Sequence, residues 1–208
     1  HDQGAYIRTH GARVMDRTLW SIPGPYNVPA YRGIGHFRLT NKMPAATYRA
    51  PGGYESSFVR ERLLDVAAQK LGIDAAEIRR RNLIRPEQMP FRRAFEPANV
   101  EPQILDSGDY PGLFRRALEA IGFDALKDDI ARRRAAGEAV GVGMSVFFDE
   151  SGRGPSDGAR ATVDTNGNVE LVTGGASLGQ GFETVMAQIC AQTLGVDYKT
   201  VRVIHGQT

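Results

Sequence analysis

The run Gly174-Gly175-Ala176-Ser177-Leu178-Gly179-Gln180-Gly181 separates an apolar segment, 169–173, from a segment of helical period, 182–194. In the latter, Phe182, Val185, Met186, Ile189, Cys190, Thr193 and Leu194 share one face of a 3.6-residue repeat, which predicts an amphipathic helix with that face buried. Upstream, 159–165 and 169–173 flank Asn166-Gly167, a dipeptide that accepts positive φ, so an antiparallel hairpin is expected. Downstream, 201–204 reads as another strand. A glycine loop therefore leads from a sheet into a helix.

Further towards the N-terminus, 140–148 is apolar and punctuated by glycine, which predicts a strand, and 112–121 and 124–136 carry helical patterns. Residues 86–111 hold five prolines and little periodicity, the signature of a long connection. Between 58 and 71, Val59, Leu63, Val66, Ala67 and Leu71 predict a helix buried along that stripe, with Arg60, Glu61, Arg62 and Asp65 between. Gly72 ends it, and Asp74 with Glu77 forms a capping-box variant for a short helix closing at Arg79-Arg80-Arg81-Asn82. Gly72 and Gly195 share one grammar: Leu-Gly, then Ile or Val, then Asp, with the glycine in a left-handed C′ position. The first 57 residues are rich in Pro and Gly and predict extended segments and turns. The fold class is α+β, with mixed sheets and packed helices. The expected division is 1–85, a connection with helices at 86–139, and 140–208.

Composition removes several classes. The 208 residues are 41% hydrophobic and 24% charged with a net charge of +2, so a packed core is expected rather than disorder. The single Cys190 excludes an intrachain disulfide and a four-cysteine zinc or iron–sulfur site supplied by this chain. No run of about 18 apolar residues predicts a membrane span, and His1-Asp2-Gln3-Gly4 lacks the order of a signal peptide. A cytoplasmic protein is expected. The start without Met and the stop after a strand-like run suggest a portion of something longer. Basic residues (26) are balanced by acidic ones (24), so Arg79–Arg81, Arg92-Arg93 and Arg132–Arg134 read as solvated faces or subunit contacts, not a nucleic-acid surface. His1, His10, His36 and His205 show no metal-ligand spacing and read as structural.

Chemistry concentrates in two loops. Four glycines in 174–181 remove side chains where a helix begins, exposing backbone N–H groups to an anion or a polar ring such as a phosphate or pterin. Neither the Gly-Lys-Ser/Thr of a phosphate-binding P-loop nor G-x-G-x-x-G spacing is present. A glycine turn packed on neighbouring backbone is the structural alternative. Gln180, an amide between two glycines, offers one donor and one acceptor to a heterocycle or an oxo ligand. The second loop, Ala45-Ala46-Thr47-Tyr48-Arg49-Ala50-Pro51-Gly52-Gly53-Tyr54-Glu55, places Arg49 before a tight turn, suited to a planar anionic or carbonyl partner or to a structural salt bridge.

Tyr48-Arg49-Ala50-Pro51-Gly52-Gly53, Glu61-Arg62-Leu63-Leu64-Asp65, Leu71-Gly72-Ile73-Asp74 through Arg79-Arg80-Arg81-Asn82-Leu83, and Gly179-Gln180-Gly181-Phe182-Glu183-Thr184 occur in consistent order. Together with Asp2-Gln3-Gly4-Ala5-Tyr6 and Val28-Pro29-Ala30-Tyr31-Arg32, they resemble the molybdopterin-binding large subunit of the xanthine dehydrogenase/aldehyde oxidase family of molybdenum hydroxylases. The resemblance covers essentially the whole chain. It implies that 1–85 ends one molybdopterin-binding domain and 140–208 starts the next.

By the same resemblance, Arg49 hydrogen-bonds the molybdopterin region. Gly179, Gln180 and Gly181 form the loop beside molybdenum and pterin, with Gln180 near the apical oxo ligand. Arg17, reached by counting back from Arg49 without a gap, falls where xanthine-oxidising members carry an arginine that orients substrate and stabilises developing negative charge. The implied cofactor is molybdopterin, in its cytosine dinucleotide form, with molybdenum. Iron–sulfur clusters and FAD would sit on partner subunits or domains, and the substrate would be a small molecule. The chain itself supplies no metal ligands. The activity implied is hydroxylation of an aldehyde or N-heterocycle with water-derived oxygen.

Three departures narrow that reading. Copper-containing carbon monoxide dehydrogenases place a cysteine directly after the loop arginine, where this chain has Ala50. Purine-oxidising members carry phenylalanines where this chain has Pro51 and Met144. The family's catalytic glutamate, in a Gly-Glu motif, has no match here. Gly137-Glu138 precedes the Gln180 loop and reads as a solvated helix end, and Glu183 reads as a favourable charge in a helix first turn. A rival expectation is a non-catalytic scaffold or phosphate-ligand-binding module of a multi-subunit complex.

Overall fold

The computed structural model describes residues 1–8, 11–93, 103–149 and 156–206. His10 and part of the predicted 86–111 connection (94–102) lie outside the described residues. Two compact units divide the chain, His1–Asp149 and Glu150–Thr208. Helices and small sheets coexist in the α+β arrangement the sequence predicts.

In the first unit, α1 (Gly11–Ser21) is a helix in a segment whose Pro and Gly predict extended segments and turns. No proline falls between its ends, Val14 is buried, and the Thr18 hydroxyl donates back to Val14 O at 2.7 Å. α2 spans Gly53–Leu71 and α3 spans Ala75–Asn82. Gly72, at φ 64°, closes α2 as expected. The Asp74 carboxylate caps α3, accepting from Ala76 N at 2.7 Å and Glu77 N at 3.2 Å. Glu77 bonds Arg80 and Arg81. Two residue pairs, β1 (Phe91–Arg92) and β2 (Ile104–Leu105), form a short antiparallel ladder. α4 (Tyr110–Ala120) and α5 (Phe123–Ala135) follow at the predicted places. Tyr26, Ala76, Leu83, Phe114, Phe123 and Val146 make the core.

The buried face of α2 is not the predicted one. Leu63 is 59% exposed and Leu71 67%, whereas Ser56, Arg60, Glu61 and Ala68 are buried. A charge network selects that face. The Glu61 carboxylate accepts from Arg60 Nε at 2.9 Å, Arg79 Nε at 2.8 Å and the Tyr26 hydroxyl at 3.1 Å. Arg79, 0% exposed, also donates to Asp65, Ala75 O and Met144 O. Burial works against the Arg79 charge, but Glu61 and Asp65 outweigh it and hold its pKa above the ordinary value. Arg79 is therefore a core residue, unlike Arg80 and Arg81. Arg93 is also buried, donating to Gly24 O and Tyr26 O, and burial with Arg60 nearby pulls its pKa down to about 10.

This network also explains why 140–148 forms no strand. Met144, Val146 and Phe148 turn inward while Ser145 and Phe147 are exposed, so the two-residue alternation is real. The carbonyls of Met144 and Val146, however, bond Arg79 and Arg60, and that of Val140 bonds Arg134, in place of a neighbouring strand.

In the second unit, β3 (Ala159–Val163) pairs antiparallel with β4 (Val169–Thr173), which pairs parallel with β5 (Val201–Ile204). The hairpin turn is wider than the Asn-Gly dipeptide alone predicts. The Asp164 carboxylate gathers the N–H groups of Asn166 and Asn168, and Gly167 takes φ 82°. α6 (Phe182–Leu194) crosses from β4 to β5 and packs through Ala187 and Ala191 on Val169, Leu171 and Val201, with Met186 and Cys190 beside them. Val185, Ile189 and Leu194 of the predicted stripe are exposed, because two alanines provide the close approach to the sheet.

Candidate cofactor-binding site

Arg49 and Gly179–Gly181 lie on two loops, one in each unit, and Arg17 lies on α1 of the first unit. In the first, Gln3 is fully buried and donates from Nε2 to Ala45 O at 2.7 Å, while its backbone bonds Arg38 O and Ala45 N. From this anchor the chain runs through exposed Tyr48 and Arg49. Ala50 then takes φ 60°, a left-handed conformation that costs a residue with a Cβ about 1–3 kcal/mol. Gly53 N closes the turn on Ala50 O at 3.0 Å. Gly52, at φ 83°, abuts α1: a Cβ there would stand 2.6 Å from Thr18 N and 2.7 Å from the Arg17 carbonyl carbon. The turn after Arg49 therefore rests on the backbone of Arg17. Glu55 accepts from Gly52 N at 2.9 Å and so caps α2.

In the second unit, the loop 174–181 leaves β4 and opens α6. Gly174 N bonds Gly158 O, and Gly206 N bonds Gly175 O at 3.0 Å. Gly175 lies against the Phe182 ring, where no Cβ fits. Gly179 and Gly181 differ: both take positive φ, 91° and 70°, and a Cβ on either would meet nothing within 4 Å. The backbone there is bare and open on one side. Gln180 folds onto its own loop, its Nε2 donating to Ala176 O at 3.0 Å and its Oε1 accepting from Leu178 N.

The pKa of Glu183 lies below its ordinary value, held down first by its own backbone N–H and then by His205. This bears out its reading as a first-turn charge. Sequence reasoning missed its pairing with His205, at 2.7 Å across 22 residues. Nothing in the local sequence signals that contact. The Arg60–Glu61–Arg79 network was missed for a different reason, since helical periodicity assigns charged residues to the solvent face. Among the described residues no group of three or more His, Cys, Asp or Glu is placed to hold a metal. No helix among them is long and apolar enough to cross a membrane.

An open, side-chain-free backbone at a helix start, with one amide between its glycines, fits a flat polar ring bearing phosphates. Two molybdopterin cofactor-binding domain profiles match the chain, one over residues 1–83 and the other over 116–208. The 6-hydroxypseudooxynicotine dehydrogenase complex subunit gamma of Paenarthrobacter nicotinovorans is 42% identical over all of this chain and 26% of its own length. The carbon monoxide dehydrogenase large chain of Hydrogenophaga pseudoflava is 33% identical over all of this chain and 27% of its own. The solved quinoline 2-oxidoreductase of Pseudomonas putida 86 superimposes with a TM-score of 0.79 at 33% identity, covering 99% of this chain and 27% of that one. The chain thus belongs to the molybdopterin-binding domains of the molybdenum hydroxylases, the xanthine dehydrogenase/aldehyde oxidase family. It spans about a quarter of the length of these relatives.

Proposed function

We propose that the chain is the central portion of the catalytic subunit of a molybdenum hydroxylase that oxidises an N-heterocycle or an aldehyde with oxygen from water. Residues 1–85 end one molybdenum-binding domain, 86–139 connect, and 140–208 start the next, with 140–149 packing on the first unit. The observation that carries the reading is the bare backbone at Gly179 and Gly181 opening α6, in a chain matched at both ends by cofactor-binding domains.

When bound, molybdopterin with molybdenum would supply the two-electron acceptor for hydroxylation of a C–H group by water, with one proton leaving from the C–H group and one from the water. The chain's own residues bind and orient. Arg49, exposed on its turn, donates from its planar guanidinium to the pterin side of the cofactor. Gly179 and Gly181 admit the cofactor against the backbone. Gln180 gives up its bonds to Ala176 and Leu178 to face it, offering a donor and an acceptor. Arg17 orients the substrate and stabilises negative charge developing on it. The cofactor form is the cytosine dinucleotide, electrons leave through iron–sulfur clusters and FAD on partner subunits or domains, and the complex is cytoplasmic.

Two features support the substrate class. Ala50 stands where copper-dependent CO oxidation needs a thiol, and the names of two similar proteins carry nitrogen heterocycles, a nicotine derivative and quinoline. Metal and pterin analysis of the full-length subunit in its complex tests the reading. Molybdenum and pterin in equal amounts, without copper, are expected, with Arg49→Ala lowering both. A stable complex containing neither would overturn it in favour of a scaffold.

A further inference from the structure

The loop 174–181 is fastened by a group of side chains that the reading above leaves unused. Glu183, in the first turn of α6, accepts from the Ser177 hydroxyl at 3.2 Å through Oε2 and meets His205 Nε2 at 2.7 Å through Oε1. A first-turn carboxylate needs neither contact, since the helix N-terminus already favours its charge. His205 directly follows β5, and its ring stands edge-on to Phe182 at 5.3 Å and 76°. Phe182 in turn fills the space beside Gly175, whose carbonyl takes the N–H of Gly206. The His205 Nδ1 is buried without a hydrogen-bond partner. With Nε2 facing a carboxylate, the hydrogen-bond network assigns a proton to Nε2. Three elements, the loop, the start of α6 and the end of β5, thus meet on one carboxylate.

A loop with four glycines in eight residues loses more conformational freedom on ordering than one with side chains at those positions would. Something must hold its open stretch in place. We infer that Glu183 and His205 are positioning residues: through Ser177 and Gly175 they fix the loop so that the backbone of 179–181 faces the cofactor in one conformation. The inference rests on the reading of this loop as a wall of the cofactor site.

The test uses the full-length subunit in its complex, with Glu183→Ala, Glu183→Gln and His205→Ala, and with Gln180→Ala as a probe of the loop itself. The readouts are molybdenum and pterin content, the Mo(V) electron paramagnetic resonance line shape after partial reduction, and kcat and KM. A misplaced loop is expected to lower kcat about tenfold to a hundredfold and to alter the Mo(V) signal in Glu183→Ala and His205→Ala. Glu183→Gln, whose amide accepts from His205 and donates to Ser177, should return both readouts to within about threefold of the parent. Equal loss in Glu183→Ala and Glu183→Gln would overturn the inference, because charge and not placement would then be at work. Unchanged kcat and signal in Glu183→Ala, with both altered in Gln180→Ala, would overturn it while leaving the cofactor loop standing. If neither variant changes anything, the reading of the loop falls and the inference falls with it. Should Glu183→Ala fail to assemble, Ser177→Ala removes only the loop-side bond, and an unaltered Mo(V) signal there refutes the positioning role.

Discussion

Glu61→Ala should be among the most destabilising substitutions of an ionisable residue in the first unit. Glu61 is 5% exposed and compensates two buried guanidinium groups while accepting the Tyr26 hydroxyl. Removing one partner of a buried ion pair costs about 3–5 kcal/mol, because the remaining charge stays out of water. The low end applies to the charges here. Arg79 keeps Asp65 at 2.9 Å and Arg60 keeps the carbonyls of Ser21, Ile22 and Val146. The stranded Tyr26 hydroxyl adds about 1 kcal/mol, giving a total of about 4 kcal/mol against a typical domain stability of about 5–15 kcal/mol. Glu61→Gln keeps the volume and one acceptor and should cost about 2 kcal/mol. Urea denaturation followed by Trp20 reports on this region, since the only tryptophan sits on α1 next to Ser21, whose carbonyl Arg60 holds. Glu77→Ala, which breaks only surface pairs with Arg80 and Arg81, is the control and should cost less than about 1 kcal/mol. A loss for Glu61→Ala no larger than for this control would refute the claim that the network selects the buried face of α2.

Gly52→Ala combines an unfavourable φ with a collision against the Arg17–Thr18 backbone and should cost about 3 kcal/mol, whereas Gly181→Ala, with open space, should cost about 1 kcal/mol; unfolding midpoints that rank them the other way would contradict the close approach of α2 to α1. Asp74→Ala removes the cap of α3 and should cost about 1 kcal/mol, read as faster amide exchange at Ala76 and Glu77; unchanged exchange at both would count against the cap. Asp2 is held at about 2, below its ordinary 3.8, by Lys42, the Thr40 hydroxyl and the Gly4 N–H. A depressed carboxylate stabilises the fold above its ordinary pKa and loses that contribution as pH falls from 3.8 towards 2, so Asp2→Asn should flatten the stability profile across that interval, and an unchanged slope would dismiss the pairing.

The elements read most accurately from sequence are those whose signals are local. α6 begins and ends where its flanking glycines place it, and α3 starts at its aspartate cap. The strands flanking Asn166-Gly167 and the strand at 201–204 follow from short-range alternation and turn chemistry. Misreadings arise where a distant partner decides. Residues 140–148 have strand alternation, but guanidinium groups from α2 and α3 take two of the carbonyls that a neighbouring strand would bond. α1 was hidden by generalising from the prolines that follow it. The buried faces of α2 and α6 were misassigned because hydrophobicity alone ranks Leu63 above Arg60 and Ile189 above Ala187, whereas burial depends on what each residue meets.

The same distinction applies to the glycines of the candidate site. In sequence, Gly52, Gly175, Gly179 and Gly181 carry one signal. In the structure they divide into two kinds. Gly52 and Gly175 are glycines because a neighbour occupies the place of a Cβ: the Arg17–Thr18 backbone in one case and the Phe182 ring in the other. Gly179 and Gly181 have empty space there, so only their positive φ calls for glycine, and packing within the unit leaves that side of the backbone uncovered. Open glycines at positive φ also occur at Gly72 and Gly195, where a helix stop accounts for them, and at Gly122, which opens α5. At 179 and 181 a helix starts, and N-terminal positions favour Ser, Thr, Asp or Asn over glycine when capping alone is at stake. Gly122 meets the same backbone need at the start of α5 with a single glycine, so the pair at 179 and 181, bracketing an amide, is the feature on which the proposed approach of a ligand to the chain itself rests.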